Sequence, residues 1–200
     1  MKPYNRILPP ALSDFTGVMN VLTQVEGCFA LLHSPHGCAE FFDDDMTAFA
    51  LFDKSVANID LDQDTVTFGA EDRVVEAIRA VEEEYGPEII ALVATPVSAI
   101  IGTDLKGIAK QMQKDTKATL VAFDSGGILG DWWQGESDVF SFFAENIVQD
   151  TAQKNGGVNL LGASYALFNW RSDLREIRRI LDALGIPLVS SFSIRRFIEE

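Results

Sequence analysis

The sequence predicts an α/β fold: a doubly wound, mainly parallel sheet, followed by the start of a second α/β unit. Three observations predict it. First, short unbroken apolar runs recur at Cys28–Leu32, Glu88–Ala94 and Ala118–Phe123. Runs of that length without alternation are what strands covered on both faces require. Second, the stretches between them carry apolar residues at helical spacing, as in Val74, Val75, Ile78 and Val81. Third, glycine and proline punctuate the boundaries, at Pro35 and Gly37, at Gly86-Pro87 and at Gly156-Gly157. Strands alternating with amphipathic helices give parallel pairing through helical crossovers.

Taken in order, Met1 to Pro10 reads as an extended arm, because Pro9-Pro10 opposes a helix. Ala11 to Gln24 suits a helix capped by Ser13 or Asp14, with Phe15, Val18, Met19 and Leu22 near one face. The strand from Cys28 to Leu32 ends in the polar turn His33-Ser34-Pro35-His36-Gly37-Cys38, and Ala39 to Phe52 reads as a helix. Val56 to Leu61 suits a short strand, and Asp62 to Thr65 a turn. The helix from Ala70 to Tyr85 leaves Glu82-Glu83-Glu84 to solvent and stops at Gly86-Pro87. After the strand ending at Ala94, Asp104 to Lys114 is helical, Ala118 to Phe123 is a buried strand, and Ser125 to Gly130 is a glycine-rich loop. Ser137 to Gln153 reads as a helix carrying Phe140, Phe142 and Phe143. A boundary near Lys154 to Gly157 divides the chain into residues 1–155 and a partial second unit, 156–200. That unit holds strands at Val158–Leu161 and Pro187–Ser190, a helix at Asp173–Leu184, and a helix beginning at Ile194. One such unit cannot cover a sheet by itself.

Composition narrows the function. The 200 residues hold 16 Lys and Arg against 30 Asp and Glu, a net charge of −14. This opposes nucleic acid and anionic membranes as partners and suits docking to a basic protein face. Two cysteines make no disulfide framework, so a reducing cytoplasm is the expected location. The first ten residues lack the apolar core of a signal peptide, and no apolar run reaches membrane-spanning length.

The residues with chemistry cluster at the turn after the first strand. Cys38 stands at or near a helix start, where exposed N–H groups and the positive dipole end favour a thiolate. The alternative is a small buried core residue. Cys28 lies at an apolar strand position and reads as packing. The loop Gly126-Gly127-Ile128-Leu129-Gly130 lacks both the dinucleotide-binding spacing and the phosphate-loop lysine, so it reads as a strand-to-helix turn. His33 and His36 have no neighbouring C-x-x-C, which opposes a zinc site. No G-x-S-x-G supports hydrolase chemistry.

Several of these motifs, in order, resemble the nitrogenase component 1 family. His33 to Cys38 (HSPHGC) resembles its H-G-x-x-G-C turn, and His33 the turn histidine, a hydrogen-bonding element. Phe68-Gly69-Ala70 resembles its F-G-G segment. Ala94 to Leu105 (ATPVSAIIGTDL) resembles its T-T-C-x-x-x-I-I-G-D-D-[IL] segment. Val158-Asn159-Leu160-Leu161-Gly162 resembles the N-[IL]-[IL]-G strand that opens its second domain. The match runs from about Ser13 to about Val189. The resemblance implies a Rossmann-like component 1 domain and an oxidoreductase subunit that is not self-sufficient. It also implies electrons from an ATP-dependent iron–sulfur reductase, relayed through an iron–sulfur cluster at the interface with a component 1 sister subunit. The family's subunits are much longer, so the chain is expected to be a fragment of one or a minimal relative. The family's cluster cysteines fall here on Ser13, Cys38 and Pro96, so the resemblance puts Cys38, with Ser13 as a weak companion, at the cofactor and metal position. Soft thiolates suit iron, and proline offers no ligand. Three outcomes stay open: ligands completed by a partner or a second copy, a different or labile cluster, or a cluster-free scaffold or interaction paralogue. Phe68 and Gly69 fall at the family's reductase-docking face, with a core-packed phenylalanine as the alternative. The substrate site would draw on later domains and a sister subunit.

Overall fold

The structure, a computed structural model, describes residues 13–38, 55–148, 156–162 and 169–192. The expected extended arm, the helix from Ala39 to Phe52 and the helix from Ile194 lie outside these residues.

Among the described residues the main sheet has four parallel strands: β1 (Cys28–His33), β2 (Val56–Asn58), β3 (Ile89–Ala94) and β4 (Thr119–Phe123), in the order β2-β1-β3-β4. Strands β1 and β3 are buried at every position, as their unbroken apolar runs require. Side chains alternate between two covered faces. Phe29, Leu31, Ile90 and Leu92 meet Val74 and Ile78 of α3 (Glu71–Tyr85) and Leu105 and Ile108 of α5 (Leu105–Met112). Cys28, Ala30, Leu32, Ala91 and Val93 meet Val18, Met19 and Leu22 of α1 (Asp14–Leu22) and Val139 and Phe143 of α6 (Trp132–Asn146). Burying one leucine-sized side chain contributes about 1.5–3 kcal/mol, so these two layers hold most of the stability.

Helices α1 and α6 approach so closely that glycine is needed on both. A Cβ on Gly17 would lie 1.8 Å from the Trp132 carbonyl oxygen, and one on Gly135 would lie 1.9 Å from that of Asp14. The crossing is pinned at its start, where the Asp14 amide donates to Gly130 O at 3.0 Å and Ser13 bridges Asp131.

Local chemistry moved several boundaries from the expected ones. Asp62 to Thr65 is not a free turn but the start of α2 (Gln63–Phe68), with Asp62 accepting from Thr65 N at 2.8 Å and Asp62 N donating back to Thr65 Oγ1 at 2.8 Å. Pro96 opens a short helix, α4 (Pro96–Ile101), that the apolar pattern did not suggest. Proline's fixed φ suits the first helical turn, and Ser98 Oγ accepts from Thr95 N at 2.7 Å. Helix α6 begins at Trp132, five residues before the expected Ser137, because Gln134 Oε1 caps the Asp131 amide at 2.8 Å. Strand β4 is only half-buried and lies at the edge of the sheet.

Residues 156–162 and 169–192 form a second, two-stranded parallel sheet of β5 (Val158–Leu161) and β6 (Leu188–Phe192), with α7 (Trp170–Ala183) between them in the chain. No helix among the described residues is long and apolar enough to cross a membrane.

Candidate functional site

The carboxyl ends of the parallel strands carry the turns that hold the candidate residues, the place where open α/β sheets bind ligands. Strand β1 ends at His33, and the chain passes through Ser34 and Pro35 into a helical turn at residues 36–38. Cys38 is exposed there, and its amide donates to Pro35 O at 3.1 Å. Cys38 is therefore not the small core residue of the alternative reading. Strand β3 ends at Ala94, and the next residue, Thr95, donates its hydroxyl to His33 O at 2.9 Å and ties the two turns together. Pro96 follows directly. Strand β4 leads into the loop of Gly126 and Gly127. Gly127 has φ 83°, and its missing Cβ would sit 3.1 Å from Pro96 Cγ and 3.3 Å from Ser13 Oγ. Ser13 and Pro96, more than eighty residues apart in the chain, thus pack against the same glycine, and all three candidate positions share one end of the sheet.

Their donor chemistry is sparse. Pro96 supplies no ligand atom. Cys28 is buried in the α1 face of the core, and burial pushes its thiol up to about 12, which keeps it protonated and inert as a nucleophile or ligand. Among the described residues no group of three or more His, Cys, Asp or Glu side chains could hold a metal ion. These residues do not make a complete iron–sulfur site. They leave one soft ligand, the exposed Cys38 thiol, with the Ser13 hydroxyl as a weak second.

His33 is buried to 1% exposure on the α3 side of the sheet, and neither ring nitrogen has a hydrogen-bond partner among the described residues. The hydrogen bond that His33 makes among the described residues is through its backbone carbonyl, which accepts from Thr95. Burial lowers its pKa below the ordinary 6.5, with the Glu71 carboxylate pulling weakly the other way. His36, by contrast, is exposed and pairs with Asp60 at 3.3 Å across the turn. Asp60, at φ 63°, was not a candidate in the sequence, where it fell inside the strand expected over Val56 to Leu61; the observed β2 ends at Asn58.

Phe68 and Gly69 form a separate corner. Phe68 is the last residue of α2 and is 85% exposed, which removes the core-packed alternative. Gly69 caps that helix at φ 105°, a conformation that favours glycine, and a Cβ there would press on the Glu71 carboxylate. Arg73 of α3 fastens the corner, donating to Asp60 O at 2.6 Å and Asp62 Oδ2 at 3.0 Å. Hydrogen bonds from Thr65, then the Arg73 charge, hold the Asp62 carboxyl below the usual range.

Residues 13–199 match the nitrogenase component 1 type oxidoreductases. The chain belongs to that family. Among curated relatives, the nitrogenase iron-molybdenum cofactor biosynthesis protein NifE of Sinorhizobium fredii is 27% identical over 179 residues, covering 86% of this chain and 35% of the relative. The nitrogenase molybdenum-iron protein beta chain of Clostridium pasteurianum is 21% identical, covering 92% and 40%. A light-independent protochlorophyllide reductase polypeptide of Heliobacterium modesticaldum is 29% identical over a shorter span, covering 59% and 23%. The solved structure of nitrogenase Cp1 at pH 6.5 superposes with a TM-score of 0.72 at 20% identity, covering 96% of this chain and 39% of that one, which shows the shared fold. The chain thus spans well under half the length of these component 1 relatives.

Proposed function

We propose that this chain is the electron-receiving module of a component 1-type oxidoreductase. On this reading an ATP-dependent iron–sulfur reductase docks at the Phe68–Gly69 corner, and electrons pass onward through an iron–sulfur cluster at the interface with a component 1 sister subunit. Cys38 is the one cluster ligand this chain contributes, and the sister subunit or a second copy supplies the rest. A bound cluster would supply one-electron transfer. On the same reading, substrate chemistry draws on later domains and a sister subunit, with residues 156–200 as the opening of a second unit after a first at 1–155. The observation that carries the reading is the exposed Cys38 thiol on the same sheet end as Ser13 and Pro96, in a chain of this family.

The test is anaerobic reconstitution with ferrous iron and sulfide, with and without the sister subunit, for wild type, Cys38→Ser and Cys28→Ser. Iron content and visible absorbance should be lost in Cys38→Ser and kept in Cys28→Ser. Iron retained in Cys38→Ser, or absent from every protein even beside the sister subunit, leaves a cluster-free scaffold as the function. That second reading is favoured by Pro96, which is engaged as a helix start and carries no donor. The docking part is tested separately. Phe68→Ala should weaken reductase binding while changing stability by less than about 0.5 kcal/mol, as at an exposed site.

A further inference from the structure

The outer edge of β4 is closed along one half and open along the other. Thr119 N donates inward to Glu88 O at 2.8 Å, so the alternating backbone turns the polar groups of Ala118, Leu120 and Ala122 outward. Gln113, just past the end of α5, covers the first part: its Nε2 donates to Ala118 O at 2.9 Å and its Oε1 accepts from Leu120 N at 2.8 Å. This is the pattern that one residue of a fifth parallel strand would make, donating to one backbone carbonyl and accepting from the amide two residues on. The next pair along, Leu120 O and Ala122 N, has no such cover among the described residues. Beyond it lies a cleft of about 570 Å³, floored by Val121, Ala122 and Phe123. The edge is thus blunted where it begins and exposed where it meets a cavity, whereas a strand guarded only against aggregation would be blunted throughout.

The walls indicate what fits. Helix α6 presents Trp133, 55% exposed, and Phe142 beside Asp138 and Glu145. The opposite wall holds Lys106, already paired with Asp124 at 2.6 Å. The unneutralised charge of the cleft is therefore negative, as is that of the chain.

We propose that the open half of β4 is a strand-addition site that takes an extended, lysine- or arginine-bearing apolar segment of a partner polypeptide as a fifth, parallel strand, in register directly after Gln113. Main-chain bonds to Leu120 O and Ala122 N supply the pairing. On the α6 face, cationic side chains meet Asp138 and Glu145 with their methylene stems over Trp133 and Phe142, while the alternate, apolar side chains continue the face of Leu120 and Ala122. Strand addition to a groove between a sheet edge and a helix is a general mode of peptide recognition. The site is independent of Cys38 and of any cluster.

The test uses the full chain and an acetylated, amidated hexapeptide alternating lysine and valine as probe, with its glutamate counterpart as control. The lysine peptide should shift the amide resonances of Leu120 to Phe123 and slow exchange at the Ala122 amide, and the glutamate peptide should bind at least tenfold more weakly. Ala122→Pro removes the outward N–H where an edge strand tolerates proline, and should weaken binding at least tenfold. A lysine peptide N-methylated at every residue, which leaves no N–H on either edge to donate to Leu120 O, should fail against wild type, which keeps the test decisive if Ala122→Pro does not fold. Binding indifferent to both changes would be unspecific charge attraction and overturns the proposal, as does no binding of the lysine peptide. Self-association of the chain that Ala122→Pro abolishes would make a second copy the occupant and equally overturns it.

Discussion

Parallel strands pair in both sheets of this chain, with opposite fates. In the main sheet, β1 and β3 pair over six residues each and are buried at every one. In the second sheet, β5 and β6 also pair in parallel, yet β5 is exposed at three of its four positions, and Leu174 alone is buried in α7. Leu161, Ile180 and Leu184 stand at 62%, 44% and 66% exposure. Helix α7 has the sharper division between apolar and charged faces, but a divided face stabilises only what it covers. Amphipathicity sets which side of a helix could be buried; the number of layers around it sets whether that side is buried. The second unit has the pattern of a core and, within the described residues, nothing to close it.

The largest test of the difference is Leu92→Ala at the centre of β3. Removing a fully buried side chain between two helical layers should cost about 3–5 kcal/mol, measured by urea unfolding. A loss under about 1 kcal/mol would mean that the main sheet is as loosely covered as the second one. Next is Gly17→Ala at the crossing of α1 and α6. The added methyl meets backbone rather than a movable side chain, so the helices must separate, at about 2–3 kcal/mol. If Gly17→Ala is neutral, the close approach is not what holds α1 to the sheet.

A smaller and pH-dependent effect comes from His33. Its pKa is lower folded than unfolded, so the unfolded chain takes the proton first. Stability attributable to His33 should be full above the unfolded value of 6.5 and fall as pH drops below it, until the folded pKa is reached. The slope for one such group is at most about 1.4 kcal/mol per pH unit. Comparing wild type with His33→Leu between about pH 5 and 7 isolates it above the range where most carboxylates titrate; identical slopes would place a proton-stabilising partner at the ring. The smallest effect belongs to the second unit. Leu161→Ala should change stability by less than about 0.5 kcal/mol, and a large loss would show that β5 is covered.

The strands β1 and β3 and the helix α3 were legible because each carries its own evidence in consecutive residues. An unbroken apolar run has few alternatives, and the Val74, Ile78 and Val81 spacing points to a single face. The two-residue break at Gly86-Pro87 was legible for the same reason, with Gly86 observed in the left-handed region at φ 55°. What failed were starts set by side-chain caps. Asp62 with Thr65, Thr95 with Ser98 and Asp131 with Gln134 are each a reciprocal pair three residues apart, and the pair becomes visible only once the backbone has turned to bring them together.

For the candidate site, the sequence by itself determined the residue types: one soft ligand at Cys38, a weak oxygen at Ser13, no donor at Pro96, and an aromatic before a glycine at Phe68. It also determined the apolar periodicity that places the turns at the carboxyl ends of parallel strands. Tertiary structure alone decided which of these residues are exposed and which meet. Phe68 is outside and Cys28 inside although both are apolar in type, because among the described residues α2 has no layer above it and β1 has one on each face. Ser13 and Pro96 meet over Gly127 because the chain returns to one sheet end after each strand. The edge of β4 was hidden for a related reason: the apolar run Ala118–Phe123 shows what its side chains avoid, while pairing is a property of backbone groups that every residue carries alike, so only the neighbouring strand, or its absence, distinguishes a centre from an edge.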